Sequence, residues 1–528
     1  MLAQDGVIRR GNRRLTILHA DPGGENRGLL HLHVISAIEL LEPLGWSIDV
    51  RTPLDPNLTE AVLGPDLLLV QMLVDPEVEA IIRCRGDRGL PTVYEITDNF
   101  LGVGDWLPST NSLRSPLSRQ SILYHAHLAD AMQMLVPALA ELFSGVNERR
   151  IVLDPFVAYP ERVPEKPDGF VFGWAGSRSH ASGLAAAAPA VIEFCSRHPE
   201  ARFAFMGDRE MFDDLFAEIA PEQTVVRPFS QQAELLAFTA GLHVGIAPMP
   251  PTPFNETRSD NRVCGYAGQG VAAVLEDSRA HRPHARHARI YRSAEELLDT
   301  LEELFADPDQ VRGLAAGARA WLESERSPEA LAAQRDTAYR SLLVHPAAAE
   351  GPPPALDDLA ARLREAYRSG PEQALAACLE LVAECPGYQQ AHLLAAHCLE
   401  AMGRDDEALD YVEGVDASAV YADLFAELCV RAARRVRPAD ADRRVAAVRS
   451  PFRRARLEAG RSPVERSLAV LEHNPYDHFA LASTIRRLSR RDPGSPELDE
   501  LYERFCLLHP ESVPPERRPE RQTPFLPA

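Results

Sequence analysis

Short apolar runs bounded by Gly, Pro, Asn or Asp recur along the first two thirds of the chain, and most of the stretches between them carry apolar residues at helical spacing. The first run, residues 15–20 (LTILHA), ends at DPGGENRG; LLHLHVISAIELLEPLGW then holds the helical period, and SIDVRT returns to a strand pattern. Parallel strands need a crossover between them, so strand, glycine-rich turn, helix and strand predict the start of a parallel sheet. Residues 66–72 (DLLLVQM), 91–99 (PTVYEITDN), 130–136 (DAMQMLV) and 150–157 (RIVLDPFV) extend it, and residues 158–169 (AYPERVPEKPDG) read as a linker.

The alternation then restarts. FVFGWAGS, ARFAFMGD, TVVRPF, LHVGIAPM and GVAAVLED read as strands, LAAAAPAVIEFCSRHP and QQAELLAFTAG as helices, and SAEELLDTLEELFADPDQVRGLAAGARAWLESE as helices that close the second unit. Two doubly wound halves joined by a linker enclose a cleft, with the carboxyl ends of both strand sets facing it. The expected fold class is α/β: two Rossmann-like domains facing a cleft, over residues 1–160 and 161–348, followed by an all-α repeat domain.

That third block follows HPAAAEGPPPALDD (residues 345–358). Ala374-Leu375 returns as Ala408-Leu409 after 34 residues, with Pro386 closing a helix between them. This is the period of a tetratricopeptide repeat, a helix pair that buries its face by stacking on neighbours; a generic helical bundle is the alternative. RSLAVLEHNPYDHFALASTIRRLSRRDP reads as a degenerate later unit. The helical domain is expected over residues 355–510, and the tail over 511–528, rich in Pro and Arg, is expected to stay disordered.

Composition narrows the partners. At 528 residues the chain is too long for one compact core. A formal net charge of -21 opposes a nucleic-acid backbone or an anionic membrane surface as the main partner, since both repel it at long range. The eight cysteines are scattered without a C-x-x-C pair, which fits reduced buried thiols in a cytoplasmic protein. MLAQDGVIRRGNRRLTILHA holds no apolar stretch of signal length, and no run approaches the roughly 18 uncharged apolar residues of a transmembrane helix.

The run FGWAGSRSHASGLAAAAPAVIEFCSRHPEARFAFMGD, followed by VGIAPMPPTPFNETRSDNRVCGYAGQGVAAVLED, resembles the C-terminal half of retaining, two-Rossmann (GT-B fold) glycosyltransferases of the bacterial family 4 type. DPGGENRG resembles the glycine-rich loop of their N-terminal half, and the likeness spans residues 15–345. The resemblance implies a hexosyltransferase-like enzyme that moves a sugar from a nucleoside diphosphate sugar to a glycan or protein acceptor without a metal cofactor. The helical repeats would then dock the acceptor protein or another protein partner.

A donor diphosphate calls for backbone N–H groups at helix N-termini and fixed cations. By resemblance, Gly23 and Gly24 allow close backbone approach at the first turn, and Ser177, Arg178 and His180 form the matching turn of the second half. Arg258 and Arg262 are placed on the diphosphate, where they neutralise the leaving group. Asp98, in YEITDNF, is the candidate catalytic carboxylate, for sugar or acceptor contact. Gly265 departs from the pattern: relatives carry a glutamate there that holds the ribose or orients the donor, and Glu256 lies on the wrong side of the turn to replace it.

Each residue also has a plain structural role open to it. DPGGENRG can be an ordinary strand-to-helix turn, Arg258 and Arg262 solvated charges, His180 a helix cap and Asp98 a turn residue. His281, His284 and His287 sit in the Arg-rich RAHRPHARHARIYR without a neighbouring carboxylate or cysteine, so no metal site is expected there. Two function classes remain: a glycosyltransferase, or a catalytically inactive scaffold that kept the fold and acts through its repeats.

Overall fold

The computed structural model of the chain describes residues 13–20, 30–102, 113, 115–229, 232–343, 355–458 and 462–519. The first sheet holds β1 (Arg13–Leu18), β2 (Trp46–Arg51), β3 (Leu67–Gln71), β4 (Thr92–Glu95), β5 (Ala131–Met134) and β6 (Arg150–Val152), in the order β2-β1-β3-β4-β5-β6. The second holds β7 (Phe170–Ala175), β8 (Ala201–Gly207), β9 (Thr224–Pro228), β10 (Val244–Ala247), β11 (Ala272–Glu276) and β12 (Arg289–Tyr291), in the order β12-β11-β10-β7-β8-β9. Pairing is parallel throughout the two sheets. Strand order reverses once in each, between β1 and β3 and between β7 and β10, and crossovers leaving on opposite faces there open a crevice beyond the carboxyl ends. These are the two doubly wound units expected of the GT-B fold; β12, a three-residue edge strand inside the Arg-rich segment, was not foreseen.

One face of the first sheet carries Leu15, Ile17, Leu67, Leu69, Val93 and Ala131, the other Leu18, Leu68, Val70, Tyr94 and Met132. Such two-sided burial explains why β3 reads as an unbroken apolar run. The Pro328–Arg340 helix returns to the first of these faces, with Tyr339 and Leu342 buried among its residues and Trp46 Nε1 donating to Asp336 Oδ1 at 2.7 Å. The expected limit at residue 348 assigned this helix to the second unit. It is instead a second chain segment of the first.

Beyond residue 355 the chain is helical, from Asp357–Arg368 to Pro496–Cys506. Ala374 and Ala408 are both buried at the same turn of helices that begin at Pro371 and Asp405. The helices pack against the first α/β unit. Leu393, Val420, Leu424, Phe425, Leu481 and Leu501 belong to one hydrophobic core with Leu58, Val62, Val78 and Ile81 of the first α/β unit. Polar contacts secure the seam: Gln390 Nε2 donates to the carbonyls of Pro53 and Asp55 at 2.8 and 3.0 Å, and Arg119 Nη1 to that of Leu508 at 2.8 Å. Residues 511–519, expected in a disordered tail, pack Val513 into the same core; residues 520–528 lie outside the described residues. All eight cysteines are free. No helix among the described residues is long and apolar enough to cross a membrane.

Candidate functional site

β7 ends at Ala175, and Gly176 N–H donates to Met206 O at 3.0 Å, which turns the chain out over the carboxyl edge of the sheet. A Cβ on Gly176 would stand 2.6 Å from the Trp174 ring and 3.1 Å from the Arg262 guanidinium, so glycine is what lets these two groups close over the turn. Ser177 then precedes the Arg178–His180 turn and the Ala181–Arg197 helix. Opposite, β10 runs into residues 248–253, where Met249 N–H donates to Glu276 Oε2 at 2.6 Å, and the chain turns through Asn255–Thr257 into the Asn261–Gly268 helix. Both turns stand at the β7/β10 switch point.

Two of the expected residues meet there, on Trp174. The Arg262 guanidinium lies 5.5 Å from the centre of the Trp174 ring, and His180 meets the same ring edge-on at 6.3 Å. Burial, with Arg262 and Arg258 beside it, holds the His180 imidazole well below its ordinary value and therefore neutral. Burial also lowers Arg262, and Arg258 adds to it. Among the described residues no carboxylate pairs with Arg262, and the buried Trp174 indole N–H has no hydrogen-bond partner. A half-buried cation without a counter-ion, beside a neutral imidazole, suits an anion.

The other expected residues are arranged differently. Arg258 stacks on Phe254 at 5.1 Å and faces Asp98 across the cleft at 3.6 Å. Arg178 is exposed and already paired with Asp208 at 2.8 Å and Glu210 at 3.0 Å. Ser177 is exposed at the same turn. Gly265 lies one turn inside its helix, and a Cβ there would meet nothing within 4 Å. Gly23 and Gly24 lie outside the described residues.

His281, His284 and His287 are buried in structural roles: His281 Nδ1 contacts Glu276 O at 2.8 Å, His284 bridges Asp260 at 3.1 Å, and His287 stacks on Trp321 at 4.9 Å. Asp260, immediately before the Asn261–Gly268 helix, is also 3.5 Å from Arg326. Burial pushes its carboxyl up, but His284 and Arg326 together hold it below the usual range.

Sequence reasoning passed over a polar row at the carboxyl edge of the first sheet. Gln71, Glu95 and Gln133 stand in register on β3, β4 and β5, hence on one face. Glu95 Oε1 accepts from Gln133 Nε2 at 2.7 Å and lies 3.0 Å from His33 Nδ1, and the Tyr339 hydroxyl donates to Gln133 Oε1 at 2.8 Å. Burial raises the Glu95 carboxyl, but His33, Gln133 and Arg335 outweigh it and keep it ionised. The signal was present in YEITDN, where a lone glutamate closes an apolar strand. Trp174 gave none, since it reads as core.

Asn99 Nδ2 donates to Pro253 O at 3.1 Å, so the carboxyl edges of the two sheets meet at residues 98–102 and 253–258. No family model and no curated protein matches the chain. Among solved structures, HepE of Anabaena, in complex with UDP and glucose, is similar at 13% identity over 62% of this chain and 100% of that one, with a TM-score of 0.46. A glycosyltransferase from Rickettsia africae is similar at 11% identity over 63% of this chain and 100% of that one, TM-score 0.45. A mutant of the O-GlcNAc transferase of Thermobaculum terrenum is similar at 15% over 63% and 68%, TM-score 0.41.

Proposed function

We propose that the chain is a glycosyltransferase that binds a nucleoside diphosphate sugar at the carboxyl edge of the second sheet and passes the sugar to a glycan or protein acceptor held against the first. The observation that carries this reading is the Arg262 guanidinium, stacked on Trp174, beside a neutral His180 and without a carboxylate partner among the described residues. As the bond between the anomeric carbon and the diphosphate oxygen breaks, negative charge gathers on the leaving phosphate. Arg262 and Arg258 neutralise it, and a neutral imidazole donates one N–H without adding charge. Engaging the diphosphate draws Arg258 from Asp98, which frees that carboxylate to accept from a sugar or acceptor hydroxyl. The retaining outcome and hexosyl donor implied by the resemblance, and the tetratricopeptide character of the helices, belong to the same proposal.

Calorimetric titration with UDP and GDP tests it. Arg262→Ala is expected to weaken nucleotide binding by about 1.5–3 kcal/mol, the range for a charge-assisted hydrogen bond. An unchanged affinity removes the site from this account.

Two observations favour the scaffold reading: Gly265 offers no side chain, and Arg178 is already neutralised by Asp208 and Glu210. Gly265→Glu separates the readings. The open space around this position and its helical backbone accept the change, which stabilises the helix by up to about 1 kcal/mol. If the glycine marks a lost donor contact, the variant gains transfer or hydrolysis of a nucleotide sugar over the wild type. A wild type that already turns over, with a slower variant, rejects the scaffold reading. A wild type that binds neither nucleotide establishes it.

A further inference from the structure

The His478–Arg491 helix of the carboxyl-terminal segment turns Leu481, Ile485 and Leu488 into the core it shares with the first α/β unit. Its start is fixed twice: the Asp477 side chain accepts from Ala480 N–H at 2.9 Å, and His478 N–H donates to Gln120 Oε1 at 2.8 Å. Residues three and four apart share a helix face, so Phe479, Ser483, Arg486 and Arg490 form the opposite one, with Arg487 beside them. All five are exposed, Phe479 by 62%.

The arginines of this face have no counter-charge. Elsewhere in the helical segment arginines are paired: Arg431 and Arg435 with Glu400, Arg444 with Glu413, and Arg453 with Glu427. Among the described residues no carboxylate lies within ion-pair distance of Arg486, Arg487, Arg490 or Arg491, and the helix itself carries four arginines and no Asp or Glu. Like charges three and four apart destabilise a helix. The helix dipole offsets this for Arg490 and Arg491, which stand in the last turn, and does little for Arg486 and Arg487 a turn earlier.

An open recess of about 200 Å³ lies against the same face, lined by Ser483, Arg486, Arg487 and Arg490. Pockets that enclose a small molecule run to roughly 300–1,000 Å³. This one is of a size for side chains laid across a surface.

We propose that the face docks an acidic segment of a partner polypeptide, its carboxylates on Arg486, Arg487 and Arg490, the Ser483 hydroxyl donating a further hydrogen bond, and an apolar side chain lying on Phe479. Guanidinium forks match carboxylates two bonds at a time, and arginine and aromatic residues are enriched where proteins meet. The extent of the face selects a peptide over other polyanions. From Phe479 to Arg490 it runs about 16 Å, whereas a nucleic-acid duplex or a bilayer reaches well past it, over the rest of a chain whose net charge is -21. A short segment stays on the arginines. The docking face stands apart from the cleft and does not rest on the transferase reading.

The full chain is titrated, by fluorescence anisotropy, with a rhodamine-labelled peptide of alternating glutamate and serine around one leucine, at about 0.15 M salt, where attraction beyond roughly 8 Å is screened. Arg486→Gln/Arg487→Gln/Arg490→Gln is expected to weaken binding at least about tenfold. The control Arg312→Gln/Arg368→Gln/Arg443→Gln, which removes the same charge from exposed positions, leaves binding unchanged. A peptide with glutamine in place of glutamate is expected not to bind.

No saturable binding, equal loss in both triple variants, or equal binding of the glutamine peptide overturns the proposal. If the triple variant of the face loses its thermal transition, Arg486→Gln alone decides: weaker binding supports the face and an unchanged affinity rejects it. Phosphatidylserine vesicles and a short DNA duplex are run beside the peptide. Arginine-dependent binding of either, tighter than the peptide's, overturns the choice of occupant. A wild-type dimer in sedimentation that the triple variant loses overturns it in favour of a second copy of the chain.

Discussion

A chain ended after Leu343 is expected to aggregate. The truncation removes Leu393, Val420, Leu424, Phe425, Leu481, Leu501 and Val513 from a core they share with Leu58, Val62, Val78 and Ile81, and so bares a contiguous apolar face on the 58–86 helices. Patches larger than a few hundred Å² are rarely carried by soluble monomers. It also strips Glu79, 2% exposed, of the Arg453 and Ser450 contacts that hold it as an anion. Light scattering and thermal melting of the truncated and full chains decide the matter. A soluble, cooperatively melting truncation would show that the helices are a separate module. The Pro-rich stretch at 345–358 suggests such a module, since a linker shows where the chain is free to turn and says nothing of what it packs against afterwards.

Glu79→Ala is the point substitution with the largest expected effect. Its carboxylate accepts from Arg83 Nε at 3.1 Å, from Arg453 Nε at 3.0 Å and from the Ser450 hydroxyl, and Arg453 is itself mostly buried. Removing one partner of an isolated buried pair costs about 3–5 kcal/mol; Arg453 keeps Glu427 at 2.8 Å, so the loss is expected at the lower end of that range. Burial pushes the Glu79 carboxyl up, but Arg453, Ser450 and Arg83 outweigh it, so its folded value lies below its ordinary 4.5. A depressed carboxylate contributes stability that is present above its unfolded value and lost as pH falls through the folded one. The gap between wild type and variant in urea unfolding should be full at pH 7 and shrink below pH 4.5. A gap under about 1 kcal/mol at pH 7 places the pair among surface bridges in strength.

What the chain disclosed beforehand follows from where each signal resides. β3 and β10 are legible because strands buried on both faces need apolar residues without a break. β12 is not, because three residues at a sheet edge carry no period. The Pro328–Arg340 helix is recognisable as a helix, yet two of its buried positions are Arg335 and Tyr339, polar residues whose partners Glu95 and Gln133 lie more than two hundred positions earlier. At the site, Arg262 was found through its likeness to a family. Trp174, which gives that arginine its platform, looked like any core aromatic until β7 and the Gly176 turn set it at the sheet's edge.

The shared core also bears on how the nascent chain acquires its shape. The apolar clusters of the second unit, from Phe170 to Leu322, leave the ribosome as one uninterrupted stretch. The first unit, though synthesised earlier, lacks one of its covers until Tyr339 emerges and the other until Leu501 and Val513 follow. The usual order of domain maturation during translation, amino-terminal first, is expected to be inverted here. The unit made second can settle while the unit made first still exposes an unfinished apolar face, and that interval is when chaperone contact matters most.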